Sequence, residues 1–262
     1  MSAETIWLVG GSSGIGEALA RSLAVAGHRV IISGRSQARL QAIVDAVPGT
    51  EALPMDVADT GRTATVAEQL LARTRHLDRV IFCAGICEYL DIQRPDWSMM
   101  ERVMAVNYFG LVNCLRASLE LLRRAPRPHL IAVGSQVVGA SFVSAEAYGA
   151  SKAAMAYFLD SLRLDLQSLG IDVTHIKPGF VDTPLTRNNQ FPMPFLMSAE
   201  AAAQRILPAL DTRPRVLAFP RRLSLMLALA RWLPGLWLRL NRRQTTASNG
   251  AQNNHHYRHE EP

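Results

Sequence analysis

Apolar and polar positions change period along the chain in a regular way. Thr5-Ile6-Trp7-Leu8-Val9 is a short apolar run, and after a glycine-rich turn Leu19, Leu23 and Ala26 recur at i, i+4 and i+7, the spacing of one buried helix face. The alternation then continues. Strands are predicted over His28 to Ser33, at a run ending Met55-Asp56-Val57, over Arg79 to Cys83, His129 to Val133 and Asp172 to Ile176. Helices are predicted over 37–46, 59–74, 97–123 and 145–168, with a last helix and strand near 199–219. Strands that alternate with helices imply right-handed crossovers and a parallel sheet covered on both faces. The fold class is α/β, one doubly wound domain over 1–220 with about seven parallel strands.

The turn after the first strand reads Gly10-Gly11-Ser12-Ser13-Gly14-Ile15-Gly16. Between a strand and a helix such a turn suits a pyrophosphate, because helix N-terminal amides attract it and glycines let the backbone approach. The domain is therefore of the dinucleotide-binding, Rossmann type. The second strand ends in Gly34-Arg35 without an acid. An acid there would hold the ribose diol of NAD, whereas an arginine accommodates the extra phosphate of NADP. The expected cofactor is NADP(H) in preference to NAD(H), with Arg35 as the phosphate partner and Ser12 and Ser13 as hydrogen-bonding helpers.

Charge and composition sharpen the chemistry. Of 28 basic residues only Lys152 and Lys177 are lysine. One of these two stands four residues after Tyr148, on the same helix face. A compact ammonium beside a phenol is expected to favour the phenolate and bring Tyr148 toward a proton donor and acceptor at neutral pH. Eight arginines and no acid lie between Arg213 and Arg243, so the rest of the chain sums to −2 and the basic balance is local. No aromatic-interleaved basic motif accompanies it, which argues against nucleic acid. Cys83, Cys87 and Cys114 have neither metal nor redox spacing and read as reduced, in a cytoplasmic protein; no metal site is expected. Residues 255, 256 and 259 are histidines of a polar tail, 244–262, expected to be disordered.

On these residues the chain resembles the short-chain dehydrogenase/reductase family over about 4–190. Gly10, Gly14 and Gly16 match its cofactor glycines, Asp56-Val57 the pair beside the adenine, and Ala84-Gly85 the end of its Asn-Asn-Ala-Gly motif. Asn107, Ser135, Tyr148 and Lys152 match the catalytic tetrad. Pro178-Gly179, Val181 and Thr183 match the segment that holds the nicotinamide carboxamide. Val9 departs from the usual threonine, and Phe82-Cys83 replace the two asparagines. The resemblance implies carbonyl and alcohol interconversion: Ser135 binding the carbonyl oxygen, Tyr148 moving the proton, Lys152 also holding the ribose, Asn107 anchoring a water. The glycine spacing does not suit a sugar-nucleotide epimerase. The alternative is a cofactor-binding regulatory or scaffolding protein with little turnover.

The stretch Phe191 to Met197 is apolar and proline-punctuated, expected to cover a small, hydrophobic substrate, with Val137, Val138 and Phe142 lining the other side. Residues 221–243 are leucine- and arginine-rich with two tryptophans. Pro234-Gly235 interrupts them, too early for a membrane span. A peripheral contact with the inner face of a membrane, a lid and an oligomer contact all remain open for this extension. The N-terminus enters a strand at once, leaving no expected room for a signal peptide. A homodimer or homotetramer is expected. The resemblance implies that the helices over 97–123 and 145–168 pair across a twofold axis, which would bury Leu111, Leu115, Leu119 and Leu122 on one and Met155, Phe158, Leu162 and Leu166 on the other.

Overall fold

The computed structural model describes residues 3–187, 189 and 191–239; the tail 244–262, with its histidines, lies outside them. The elements follow in order: β1 (Thr5–Val9), α1 (Gly14–Val25), β2 (Arg29–Ser33), α2 (Gln37–Ala46), β3 (Thr50–Ala52), α3 (Thr63–Arg73), β4 (Arg79–Phe82), α4 (Ser98–Met104), α5 (Gly110–Arg123), β5 (His129–Val133), α6 (Glu146–Gln167), β6 (Asp172–Pro178), β7 (Val181–Asp182), β8 (Met197–Ser198), α7 (Ala199–Thr212), β9 (Val216–Phe219) and α8 (Arg221–Trp232), with residues 234–239 helical after it. Seven of the strands form one parallel sheet in the order β3-β2-β1-β4-β5-β6-β9, and β7 pairs with β8 apart from it.

Strand periodicity divides the core in two. Along β1, Ile6 and Leu8 point into a cluster with Leu19 of α1, Leu40 and Ile43 of α2 and Ile206 of α7. Trp7 and Val9 point the other way, among Val66 of α3, Leu111, Leu121 and Leu122 of α5 and Met155 and Leu159 of α6. A sheet buried on both faces needs apolar residues at successive positions, and β1, β4 and β5 supply them. The register sets the strand ends that carry the site: Val9 pairs with Ser33 and Phe82, and Val133 with Ile176.

One boundary differs from the periodicity reading. β3 ends at Ala52, not Val57, because the chain beyond it bonds the sheet only through Leu53 N–H to Ile32 O and Met55 N–H to Gly34 O. The helical stretch expected over 97–123 runs unbroken from Ser98 to Arg123, with a π-helical turn over Ala105–Phe109 between α4 and α5. The leucine face offered for oligomer contact is also corrected. Leu111, Leu115, Leu122, Met155 and Leu166 are buried, and Leu119, Phe158 and Leu162 pack against the same cluster. The apolar side chains of these helices that do reach solvent are Phe109, Tyr157 and Leu164.

Candidate active site

The C-terminal ends of β1, β2, β4, β5 and β6 converge on one cleft, where a parallel sheet places its ligands. The β1–α1 turn is built for close approach. Gly10 (φ +86°) and Gly14 (φ +56°) adopt left-handed backbone. A methyl on Gly10 would lie 2.5 Å from Ala84 N, one on Gly16 2.1 Å from Gly10 O, and one on Gly14 2.9 Å from the Thr183 methyl. Ser13 begins α1 without a capping bond from its side chain, which leaves the first-turn amides open to an anion; Ile15 packs down against the core. The turn therefore fits a pyrophosphate. Cys83 N–H to Val9 O, 2.7 Å, joins β4 to β1 through backbone.

Around that turn the expected cofactor positions assemble. Ser12 Oγ packs against Gly34, whose own side-chain position would meet it at 2.9 Å. Arg35 is exposed, lines the cleft, and forms no ion pair among the described residues. Asp56 is exposed and accepts the Ala58 amide at 3.0 Å, while Val57 is buried and its carbonyl accepts from Asn113 at 2.9 Å. Pro178 ends β6, Gly179 N–H reaches Phe219 O at 2.7 Å, and Val181 is buried in β7. Thr183 then faces Gly14, which brings the far segment back to the first turn.

The four catalytic candidates sit together past the ends of β4 and β5. Asn107 lies in the π-helical turn and is fully buried. Its Oδ1 accepts from Ile86 N–H at 2.8 Å, and its Nδ2 donates to Ile86 O at 3.0 Å and Ser151 Oγ at 2.9 Å. Both amide hydrogens are thus spent on protein, clamping the loop after β4 to α6. Gly85 passes between the groups: its side-chain position would be 3.3 Å from Asn107 Oδ1 and 3.5 Å from Lys152 Nζ. Lys152 is buried and donates to Val133 O at 3.2 Å. Ser135 Oγ accepts from Val137 N–H at 3.1 Å and lies within hydrogen-bonding reach of the Tyr148 hydroxyl.

The electrostatics correct one expectation. Burial pushes Tyr148 up to about 12, partly offset by the Ser135 hydrogen bond. Burial also pulls Lys152 down to about 8. The ammonium stands 5.8 Å from the centre of the tyrosine ring. Desolvation sets the direction and the ammonium does not reverse it, so the phenol is raised, not lowered.

The substrate end was read only in part. The cleft, about 720 Å³, is lined by Ile86, Cys87 and Tyr89 on one side and by Pro184, Leu185 and Asn189 on the other. Tyr89 donates to Asn189 Oδ1 at 2.8 Å and meets Phe191 edge-on, so the covering loop is fastened to the loop after β4. Phe142 packs edge-on against Trp237 instead of lining the cleft, and Val137 and Val138 belong to the turn beneath α8. Nothing in local periodicity marks Cys87 or Tyr89; they are lining residues because β4 ends where it does.

Fold and site together define a dinucleotide-binding oxidoreductase with a serine, tyrosine and lysine at its reacting end. The family model described as short chain dehydrogenase matches residues 4–192, and the chain belongs to that family. It is 34% identical over 238 residues, 89% of this chain and 94% of the other, to an uncharacterized oxidoreductase of Myxococcus xanthus. It is 32% identical to 2,3-dihydro-2,3-dihydroxybenzoate dehydrogenase of Escherichia coli, over 78% of each chain. Among solved structures, the Pseudomonas aeruginosa RhlG/NADP active-site complex superposes with a TM-score of 0.75 at 26% identity, covering 84% of this chain and 95% of that one.

Proposed function

We propose that the chain is an NADP(H)-dependent oxidoreductase that interconverts a carbonyl and an alcohol on a small, hydrophobic or lipid-like substrate. The observation that carries this reading is the grouping of Ser135 and Tyr148 with buried Lys152, next to Cys87 of the cleft lining. The cofactor supplies hydride to the carbonyl carbon when bound, and accepts it in the reverse direction. Ser135 donates a hydrogen bond to the carbonyl oxygen. Tyr148, protonated across the neutral range, gives its proton to that oxygen as charge develops there. Lys152 holds positive charge under the tyrosine ring and steadies the anionic phenolate left behind.

NADP is favoured because Arg35 is a cation with no ion-pair partner among the described residues, whereas the cleft's other arginine, Arg102, is held by Glu88 at 2.6 Å and Asp96 at 2.7 Å. Homodimer or homotetramer formation belongs to the same reading, through the face of Phe109, Tyr157 and Leu164; light scattering at micromolar protein tests it. So does a cytoplasmic location, at the inner face of a membrane. No helix among the described residues is long and apolar enough to cross one.

The test is a panel of hydrophobic ketones, aldehydes and alcohols with each cofactor, followed by nicotinamide absorbance. Tyr148→Phe is expected to bind NADPH as the parent does and to lose about 10² to 10⁴ in kcat. Undiminished turnover in that variant would remove Tyr148 from the chemistry. NADPH binding with no turnover on any member of the panel would favour the scaffolding alternative.

A further inference from the structure

Helix α8 is apolar on two opposite sides. Leu223, Leu227 and Ala230 face inward and are buried, while Leu225, Leu229 and Trp232 face outward with 65%, 56% and 84% of their surface exposed. The outward residues stand at i, i+4 and i+7, a continuous ridge. Beyond it Leu233, Leu236 and Leu238 are exposed as well. A helix apolar all round is ordinarily covered on every side.

Charge decides what covers this one. Arg221, Arg222, Arg231 and Arg239 are exposed along the same segment, and no acid occurs from Arg213 to Arg243. A second copy seated on the ridge would bring these like charges together. An anionic bilayer surface offers what both features need, since arginines reach the headgroups while leucines and a tryptophan enter the interface. The helix has 12 residues, ~18 Å at ~1.5 Å each, so it lies along the surface and does not cross it.

The ridge is also rigidly joined to the site. Leu223 sits against Gly179 and Leu227 against Gly139. Ser224 Oγ donates to Gln136 Oε1 at 3.0 Å, and Trp237 Nε1 donates to Ser141 O at 2.7 Å. Gln136 and Gly179 follow Ser135 and Pro178 directly in the chain, and Gly139 and Ser141 belong to the turn and loop after Ser135. We infer that the outer face of α8 docks on an anionic bilayer and sets the substrate end of the cleft against the lipid. The enzyme then takes a carbonyl or alcohol dissolved in that bilayer. The second half of this inference rests on the proposed oxidoreductase function; the docking itself does not.

The experiment uses the full chain with phosphatidylcholine vesicles, with and without phosphatidylglycerol, in co-sedimentation at low and high salt. Binding is expected to the anionic vesicles, weakening with salt. It should fall about tenfold or more in Leu225→Ser/Leu229→Ser/Trp232→Ser, whose three sites are exposed. Turnover of a short, water-soluble substrate should be unchanged in that variant, while turnover of a bilayer-dissolved one falls. Arg221→Gln/Arg222→Gln/Arg231→Gln should lose the preference for anionic vesicles and serves if the first variant does not fold. Equal binding to neutral and anionic vesicles, no binding, or unchanged binding by both variants overturns the inference. A parent that ignores vesicles but falls from dimer to monomer in the leucine variant overturns it too, and assigns the ridge to a second copy. Vesicle binding that behaves as expected in a protein with no turnover keeps the docking and removes the oxidoreductase reading.

Discussion

Gly134 and His175 are locked together beneath the catalytic serine, and the smallest possible change at the glycine tests how tightly. His175 lies on β6 opposite Ala132 of β5, with only 1% of its surface exposed, and its Nε2 has no hydrogen-bond partner among the described residues. A methyl on Gly134 would stand 2.1 Å from that Nε2, 3.0 Å from Cδ2 and 3.2 Å from Cε1. Ordinary contact is about 3.5 Å or more, so ring and strand must separate by more than about 1 Å. Overpacking of this kind costs about 1–3 kcal/mol. Gly134 N–H is tied to Ile176 O at 2.7 Å and Ser135 is the next residue, so the strain is delivered to the hydroxyl proposed to bind the carbonyl. Displacement on the order of 1 Å at a reacting group costs about a hundredfold. Gly134→Ala is therefore expected to lower urea-unfolding stability by about 1–3 kcal/mol and kcat by one to two orders of magnitude, with NADPH affinity little changed. His175→Ala in the same chain should relieve the overlap, giving a coupling energy of about 0.5–3 kcal/mol in a double-mutant cycle. Additive single effects, or a Gly134→Ala protein with parental stability and turnover, would refute the packing argument.

Cofactor choice and pH give two further readouts. The parent is expected to bind NADPH more tightly than NADH, and Arg35→Asp to narrow or reverse the gap; equal affinities in the parent, measured by titration, would reject Arg35 as the phosphate partner. Carbonyl reduction should fall as pH rises through about 8, where Lys152 loses its proton, while Tyr148 at about 12 stays protonated; a pH–rate profile flat to pH 10 would contradict this. On the acid side, burial holds His129 and His175 neutral down to about 3, below the ordinary 6.5. The unfolded chain then binds protons that the folded one refuses, so stability is lost as pH falls from about 6.5 toward 3. Ring-proton NMR midpoints near 6.5 for both residues in the folded protein would rule that out.

What could be read in advance was whatever depends on spacing along one element. Tyr148 and Lys152 share a face of α6 because they are four apart, and the glycine turn needs only β1 before it and α1 after it. Alternation gave the parallel sheet for the same reason. The errors arise where a property depends on two elements at once. The leucines of α5 and the apolar residues of α6 were read as excess faces, yet both helices pack on the sheet, so two apolar sides are internal. The pairing of Gly134 with His175 exists only in the register of β5 against β6, and the Tyr89 clasp only across a gap of 100 residues.

The phenol shows the same limit in electrostatic form. Sequence spacing gives the distance between an ammonium and a hydroxyl, and from distance alone charge attraction lowers the tyrosine. It does not give the depth at which the pair is set. Here Asn107 closes the loop after β4 over α6, Lys152 is buried and drawn to Val133 O at 3.2 Å, and the Tyr148 side chain beside it is half-buried. Burial then moves each toward its neutral form, the tyrosine up to about 12 and the lysine down to about 8, which sets the two midpoints apart. Across the neutral range the site therefore holds a charged lysine beside a protonated tyrosine, the state needed to donate a proton to a carbonyl. The reverse reaction needs a phenolate, which this burial opposes. A phenolate formed in the proposed oxidation would cost more here than in water, and the size of that cost follows from the packing around the hydroxyl, which spacing along one helix does not give.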